Sequence, residues 1–96
     1  MAANEIIHQS MRLKIMAALN VLEPDGHIEF TRLKSLVATS DGNLGAHLET
    51  LEKAGYVAIE KLFVGKRPQT RIKATRTGRR AFAEHVSYLR EILDQD

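Results

Sequence analysis

Apolar positions follow two periods along the chain. From Ile7 to Leu22 they recur at helical spacing in a stretch rich in Ala, Leu, Ile and Met, with no Gly or Pro. That predicts a helix. Its apolar residues (Ile7, Met11, Ile15, Ala18, Leu19, Leu22) fill more than one stripe, which predicts burial on several sides. Glu23-Pro24-Asp25-Gly26 ends it, because Pro cannot continue a helix and Asp-Gly favours a turn. His27–Phe30 suits a short strand. Thr31 is placed to cap a brief helix through Ala38, with Leu33, Leu36 and Val37 inward.

A second cap cluster, Thr39-Ser40-Asp41-Gly42, opens the next helix, with Ser40 or Asp41 as acceptor for its free N–H groups. Leu44, Leu48 and Leu51 share one face of this helix, which runs to about Ala54. Gly55 suits a left-handed C-terminal stop. The period then changes to two. Tyr56–Phe63 is β-prone, with Val57, Ile59 and either Leu62 or Phe63 inward. Gly65-Lys66-Arg67-Pro68 is a turn, and Thr70, Ile72 and Ala74 alternate with Arg71, Lys73 and Thr75 on a returning strand. Thr75 or Thr77 caps a last helix to about Leu93. It carries two apolar stripes, Phe82, Val86, Leu89, Leu93 and Ala81, His85, Tyr88, Ile92. One stripe docks a helix on its own domain; a second points to a partner chain.

The predicted fold is α+β and mainly helical: helix-strand-helix-helix-β-hairpin-helix, one domain over 1–96. A helix, a tight turn and a second helix can place that second helix in a DNA major groove. With Leu44, Leu48 and Leu51 inward, a turn of about 100° per residue leaves Gly42, Asn43, Ala46, Glu49, Thr50 and Lys53 outward, and His47 at the edge. These side chains are mostly small or polar. Asn43 has the donor and acceptor to pair with an adenine edge, Ala46 can touch a thymine methyl, and Thr50 can reach a base or phosphate. Glu49 suits phosphate poorly, which places it away from the backbone or on a cytosine. Gly45 costs about 1 kcal/mol relative to Ala inside a helix. Either the helix is loose there or something approaches its backbone.

Charge sharpens this picture. The formal net charge is only +2, yet Lys61–Ala83 holds Lys61, Lys66, Arg67, Arg71, Lys73, Arg76, Arg79 and Arg80 and no acid. A one-signed segment suits a polyanion or a merely solvated surface. Lys66 and Arg67 sit on the hairpin turn, with Gln69 and Arg71 on the strand leaving it. Arginine on such a projection is favoured in a minor groove.

The run Ser40-Asp41-Gly42-Asn43-Leu44-Gly45-Ala46-His47-Leu48-Glu49-Thr50-Leu51-Glu52-Lys53-Ala54-Gly55-Tyr56-Val57 resembles the recognition helix and first wing strand of MarR- and ArsR-like winged-helix regulators. Thr75-Arg76-Thr77-Gly78-Arg79, followed by Phe82, His85 and Leu89, resembles the closing helix of the small stand-alone members. The resemblance runs from about Ile7 to Leu93. It implies a winged helix-turn-helix and a homodimeric transcriptional regulator bound to double-stranded DNA. The recognition helix is then about 41–54, the wing about 56–75 and the dimerisation helix about 76–93. Ser40, Asn43, Ala46, His47 and Thr50 are implied at or near DNA, and they join Lys53, Lys66, Arg67, Gln69 and Arg71 as candidate contacts. The first and last helices are implied to pair two copies, with Ile7, Met11, Ala81, Phe82, His85, Tyr88, Leu89 and Ile92 as candidates. At Gly45 such proteins carry serine or another polar residue, so no base contact is expected there.

The remaining chemistry narrows the function. There is no cysteine, hence no disulfide or thiolate metal site. His8, His27, His47 and His85 share no short ligand spacing, so no metal or cofactor is expected, although some metal-sensing relatives place ligands between subunits and His8 with His85 is the pair to compare. No phosphate loop, nucleophile elbow or supported carboxylate pair suggests an enzyme. Met1, Met11 and Met16 read as core filler. Met1–Glu5 lacks the pattern of a signal peptide, and no apolar run approaches the ~20 residues of a membrane span. A cytoplasmic location is expected, with no membrane partner and no residue that identifies an effector. A protein-interaction module and a non-specific architectural DNA binder are the alternatives. RNA ranks behind them, because no exposed aromatic is expected on the contact faces.

Overall fold

The computed structural model describes residues 3–95. Its first helix, α1 (Ser10–Asn20), starts three residues later than the apolar pattern suggests. The Gln9 side chain accepts the Arg12 N–H at 2.8 Å and so caps the helix there. The residues before it form a separate turn around Asn4, whose Oδ1 accepts from the Ile6 and Ile7 N–H groups. Ile7 is fully buried all the same. Ile15, Met16 and Leu19 are buried on α1, which meets three other helices and the sheet, so several of its sides are covered. Met16 is core and Met11 packs half-buried against it; Met1 lies outside the described residues.

Strand β1 (Ile28–Glu29) leads directly into α2 (Phe30–Val37). Thr31 is not the cap. Glu29 occupies that position without a side-chain cap bond, and the Thr31 hydroxyl donates to the Glu29 carboxylate at 3.2 Å. Leu33 and Val37, four residues apart, are buried, while Leu36 lies off that stripe and is 54% exposed. Ala38 turns left-handed at φ 54° and ends the helix.

Helix α3 (Asp41–Lys53) follows after three residues. Ser40 is its cap, accepting the Asn43 N–H at 3.2 Å. Leu44, Leu48 and Leu51 are buried; truncating such a leucine to alanine costs about 2–5 kcal/mol. The exit is a paired C-terminal cap. Gly55, at φ +80°, donates to the Glu52 carbonyl, and Tyr56 donates to that of Leu51.

Strands β2 (Val57–Val64) and β3 (Arg67–Ala74) form the hairpin, and the antiparallel order is β1-β3-β2. The register pairs Val57 with Ala74, Ile59 with Ile72, Lys61 with Thr70 and Phe63 with Pro68. These eight residues share one face. Its inner end is core: Val57, Ile72 and Ala74 are buried. Its outer end has left the core, so Phe63 is 73% exposed where an inward ring was one of the options.

Helix α4 (Arg76–Leu93) is capped by Thr75, not Thr77. The Thr75 hydroxyl accepts the Gly78 N–H at 2.9 Å and donates to the Gly55 carbonyl at 2.6 Å, while its own N–H donates to the Tyr56 carbonyl. Gly78 lies so close to that carbonyl that a methyl group there would overlap its oxygen. Arg79 spans to the end of α1, donating to the carbonyls of Leu22 and Glu23 at 3.1 and 3.0 Å. It also reaches the carbonyls of Leu19 and Asn20 in the last turn of the helix at 3.5 Å, groups that a helix end leaves short of partners. No described helix is long and apolar enough to cross a membrane.

Gly78→Ala forces the first turn of α4 away from Tyr56. We expect a loss of about 3 kcal/mol or more, read as a lowered midpoint in thermal unfolding. A variant with the wild-type midpoint would show that the joint is not tight.

Candidate nucleic-acid interface

The buried leucine row of α3 leaves its opposite face in solvent. Asn43, Ala46, Glu49, Thr50 and Lys53 are all exposed, as is the cap residue Ser40. Their polar groups are partly held within the chain. The Asn43 amide donates to the Thr39 hydroxyl at 2.6 Å, which restrains its rotamer. Thr50 donates back to the Ala46 carbonyl at 3.3 Å. Glu49 pairs with Lys53 at 3.2 Å, one turn apart and exposed, a contact worth little in stability. Lys34 meets Asp41 at 2.6 Å beside the helix start.

His47 sits half-buried at the edge of this face. Its Nδ1 lies 3.2 Å from the Arg12 guanidinium, which can only donate. Burial, and then the Arg12 charge, hold the imidazole below its ordinary value of 6.5. Arg12 also donates through Nε to the Ile6 carbonyl at 2.6 Å, so it braces α3 against the turn before α1. The sequence pattern carries no trace of this brace, because the two residues lie 35 positions apart.

Gly45 is exposed, and nothing of the described chain comes within 4 Å of where a Cβ would stand. No internal close approach accounts for the glycine.

The hairpin turn is made possible by Gly65 at φ +65°. Lys66 and Arg67 project from it, exposed. Gln69 and Arg71 are oriented differently. They lie on the hairpin face opposite Thr70 and Ile72. There Gln69 donates to the Glu29 carboxylate at 3.2 Å and accepts from Arg71 Nε at 2.8 Å. The one-signed segment is thus not one surface. Arg79 is spent on helix carbonyls, and Lys73 lies 3.8 Å from Asp25.

Of the residues expected at a subunit contact, Ile7, Ala81 and His85 are buried by their own chain. They offer little surface in the single protomer. Met11, Phe82, Tyr88 and Leu89 are half-buried, and Ile92 and Leu93 are exposed. His85 accepts the Asn4 N–H on Nδ1 at 3.2 Å, its Nε2 has no partner, and Tyr88 stacks on its ring. Burial, and then the nearby His8, hold its pKa below 6.5. The His8 and His85 rings meet edge to face at 5.4 Å. Among the described residues no group of three or more His, Asp or Glu is placed to hold a metal.

A family model described as the winged helix DNA-binding domain matches residues 11–93. The chain belongs to this family. An uncharacterised protein of Methanocaldococcus jannaschii is 40% identical over 89 residues, covering 93% of this chain and 90% of that one. Among solved structures, a transcriptional regulator homologue from Pyrococcus horikoshii OT3 superposes with a TM-score of 0.85 at 27% identity, covering 95% of this chain and 87% of that one. NadR, solved in complex with 4-hydroxyphenylacetate, superposes with a TM-score of 0.71 at 25% identity; this chain spans 63% of its length. The four helices and three-stranded sheet are therefore a winged helix, a DNA-binding domain of the kind found in transcriptional regulators.

Both lowered histidines bear on stability. The unfolded chain takes up protons near 6.5, while the folded chain resists protonation at His47 and His85. Stability is therefore full above that pH and falls as pH drops below it. We expect the thermal midpoint to fall between about pH 8 and about pH 5, and His85→Gln, which keeps an acceptor but does not titrate, to flatten part of the fall. An unchanged profile in this variant would remove His85 from the account.

Proposed function

We propose that the protein is a homodimeric transcriptional regulator whose α3 enters the DNA major groove and whose wing lies on the backbone or in the minor groove. One observation carries this reading: the three leucines of α3 are sealed in the core while Asn43, Ala46 and Thr50 stand exposed on its far side. A helix so held presents small and polar groups to base edges at fixed positions. Asn43, Ala46 and Thr50 are the residues that choose sequence. Lys53, Lys66 and Arg67 contact phosphate and supply salt-sensitive affinity. Ser40 and His47 lie at the margins of the contact, Ser40 with its hydroxyl engaged at the cap and His47 as a neutral ring. Gln69 and Arg71, on the outer wing face, reach DNA only if the strand wraps the wing.

Two copies meet through the outer part of α4, where Tyr88, Leu89 and Ile92 carry the apolar surface that the protomer leaves uncovered. Such a pair sets two recognition helices about 34 Å apart, one turn of duplex. Ligand-controlled regulation is compatible with this arrangement, and no residue identifies an effector.

Selection of bound sequences from random duplex DNA, followed by anisotropy titration at several salt concentrations, tests the reading. We expect a pseudo-palindrome with half-sites one turn apart. Asn43→Ala should weaken binding to the selected site by about tenfold and relax one position of each half-site. The double variant Lys66→Ala, Arg67→Ala should lower the salt slope by about 2 per protomer with little change in preference. No binding at any salt would overturn the reading. A steep slope without sequence preference would make the protein architectural.

Leu89→Arg and Ile92→Arg are expected to give monomers by light scattering, with weaker DNA binding. If both variants keep the dimer mass, the two copies meet elsewhere.

A further inference from the structure

The wing face that carries Val57 and Ile59 into the core continues outward past the core's edge, through Lys61 and Phe63 opposite Thr70 and Pro68. Ile59, Lys61 and Thr70 line an open trough of about 330 Å³ with Phe30, Gly45 and Leu48. The trough runs between the recognition helix and the wing. Its lining is mostly apolar and contains no acid. Phe63 lies on the same wing face two residues beyond Lys61, its ring left in water. Lys66 and Arg67 follow at the turn. Of the carboxylates on the neighbouring elements, Glu49 pairs with Lys53, Glu29 holds Gln69, Glu60 lies on the opposite hairpin face, and Glu52 stands exposed two turns along α3 from Gly45.

Gly45 is the second observation. It forms part of the trough wall, and its missing side chain leaves space that nothing of this chain fills. A glycine within a helix is unfavourable unless something comes close to the backbone.

We propose that this trough seats the sugar–phosphate backbone of one DNA strand, with Gly45 admitting the strand against the helix and Phe63 packing on a deoxyribose face at the outer end. Lys61, Lys66 and Arg67 meet the flanking phosphates. An apolar floor with a cationic rim fits a strand that alternates apolar sugar edges with anionic phosphates. A second copy of this chain brings the same positive rim and is repelled. The proposal rests on α3 as the major-groove helix and adds how the strand beside it is held.

An apolar contact releases no counterion, so removing the ring weakens binding without changing the salt dependence. The test is anisotropy with a duplex recovered by selection, for wild type, Phe63→Ala and Gly45→Ala. Phe63→Ala should bind about tenfold more weakly with an unchanged salt slope, whereas Lys66→Ala should lower the slope by about 1. Gly45→Ala should raise the thermal midpoint by about 4–8 °C, yet weaken binding several-fold. If wild type binds and both variants match it, the trough is not a strand seat. A lower oligomer mass for Phe63→Ala would assign the ring to self-association and also overturn the proposal. Failure of the wild type to bind any duplex would instead remove the major-groove reading on which the proposal rests.

Discussion

The joint around Thr75 holds the working parts of this domain in one frame. Its hydroxyl accepts from Gly78 and donates to Gly55, and its N–H donates to Tyr56. Those four residues belong to the exit of α3, the entry of β2, the end of β3 and the first turn of α4. Gly78 makes the joint possible, because any side chain there would enter the Tyr56 carbonyl. Helix α3 and the β2–β3 hairpin therefore leave a common point. Their relative direction is set by one backbone hydrogen bond and by the short Thr75 hydroxyl, which bonds backbone groups on both sides. Asn4 reinforces the same region, donating its backbone N–H to His85 and its amide to the Tyr56 hydroxyl at 2.9 Å.

From that frame the contact surface follows with little further design. Leu44, Leu48 and Leu51 must be buried, and once they are, helical geometry leaves Asn43, Ala46 and Thr50 no choice but to face outward. Side-chain braces then remove residual rotation. Arg12 holds the His47 edge of α3 to the turn before α1, and Lys34 holds Asp41 to α2. The first is half-buried and directional; the second is exposed and contributes less. A surface that reads base edges needs this rigidity, since a displaced helix misses paired hydrogen bonds.

Local signals made much of this legible from residues alone. The caps at Ser40 and Gly55, the leucine row and the hairpin turn all depend on neighbours within a few positions, so pattern and chemistry agreed there with the folded chain. Features that depend on where the core ends were not legible. Phe63 has the same alternation parity as Ile59, and only the outward reach of the hairpin decides that one is packed and the other wet. Leu36 is a different case: it lies on α2 off the stripe of Leu33 and Val37, and is exposed. Ile7 and His85 looked like surface for a partner, yet both are buried in the protomer, His85 with its Nδ1 on the Asn4 N–H. Arg79 read as one more cation in a basic run, whereas it closes the end of α1 from 56 positions away. Charge counts along a sequence cannot separate a cation that caps a helix from one that meets a phosphate.

That last distinction bears on how such a small domain could hold DNA at all. With Arg79 turned inward, Lys73 beside Asp25 and Arg71 on the outer wing face, the cations that the proposed reading sets on phosphates are Lys53, Lys61, Lys66 and Arg67. Lys53 already shares its charge with Glu49. On the proposed reading, three or four phosphates per protomer make the salt-sensitive part of the affinity modest. Two consequences follow. Apolar contact in the trough has to supply part of what charge does not, which gives an exposed phenylalanine a reason to be there. And a second protomer has to double the contact, because linked half-sites raise the effective concentration of the second helix once the first is bound. On the proposed reading the outer surface of α4 is as much a part of DNA binding as α3, because pairing two copies turns two weak contacts into one specific one.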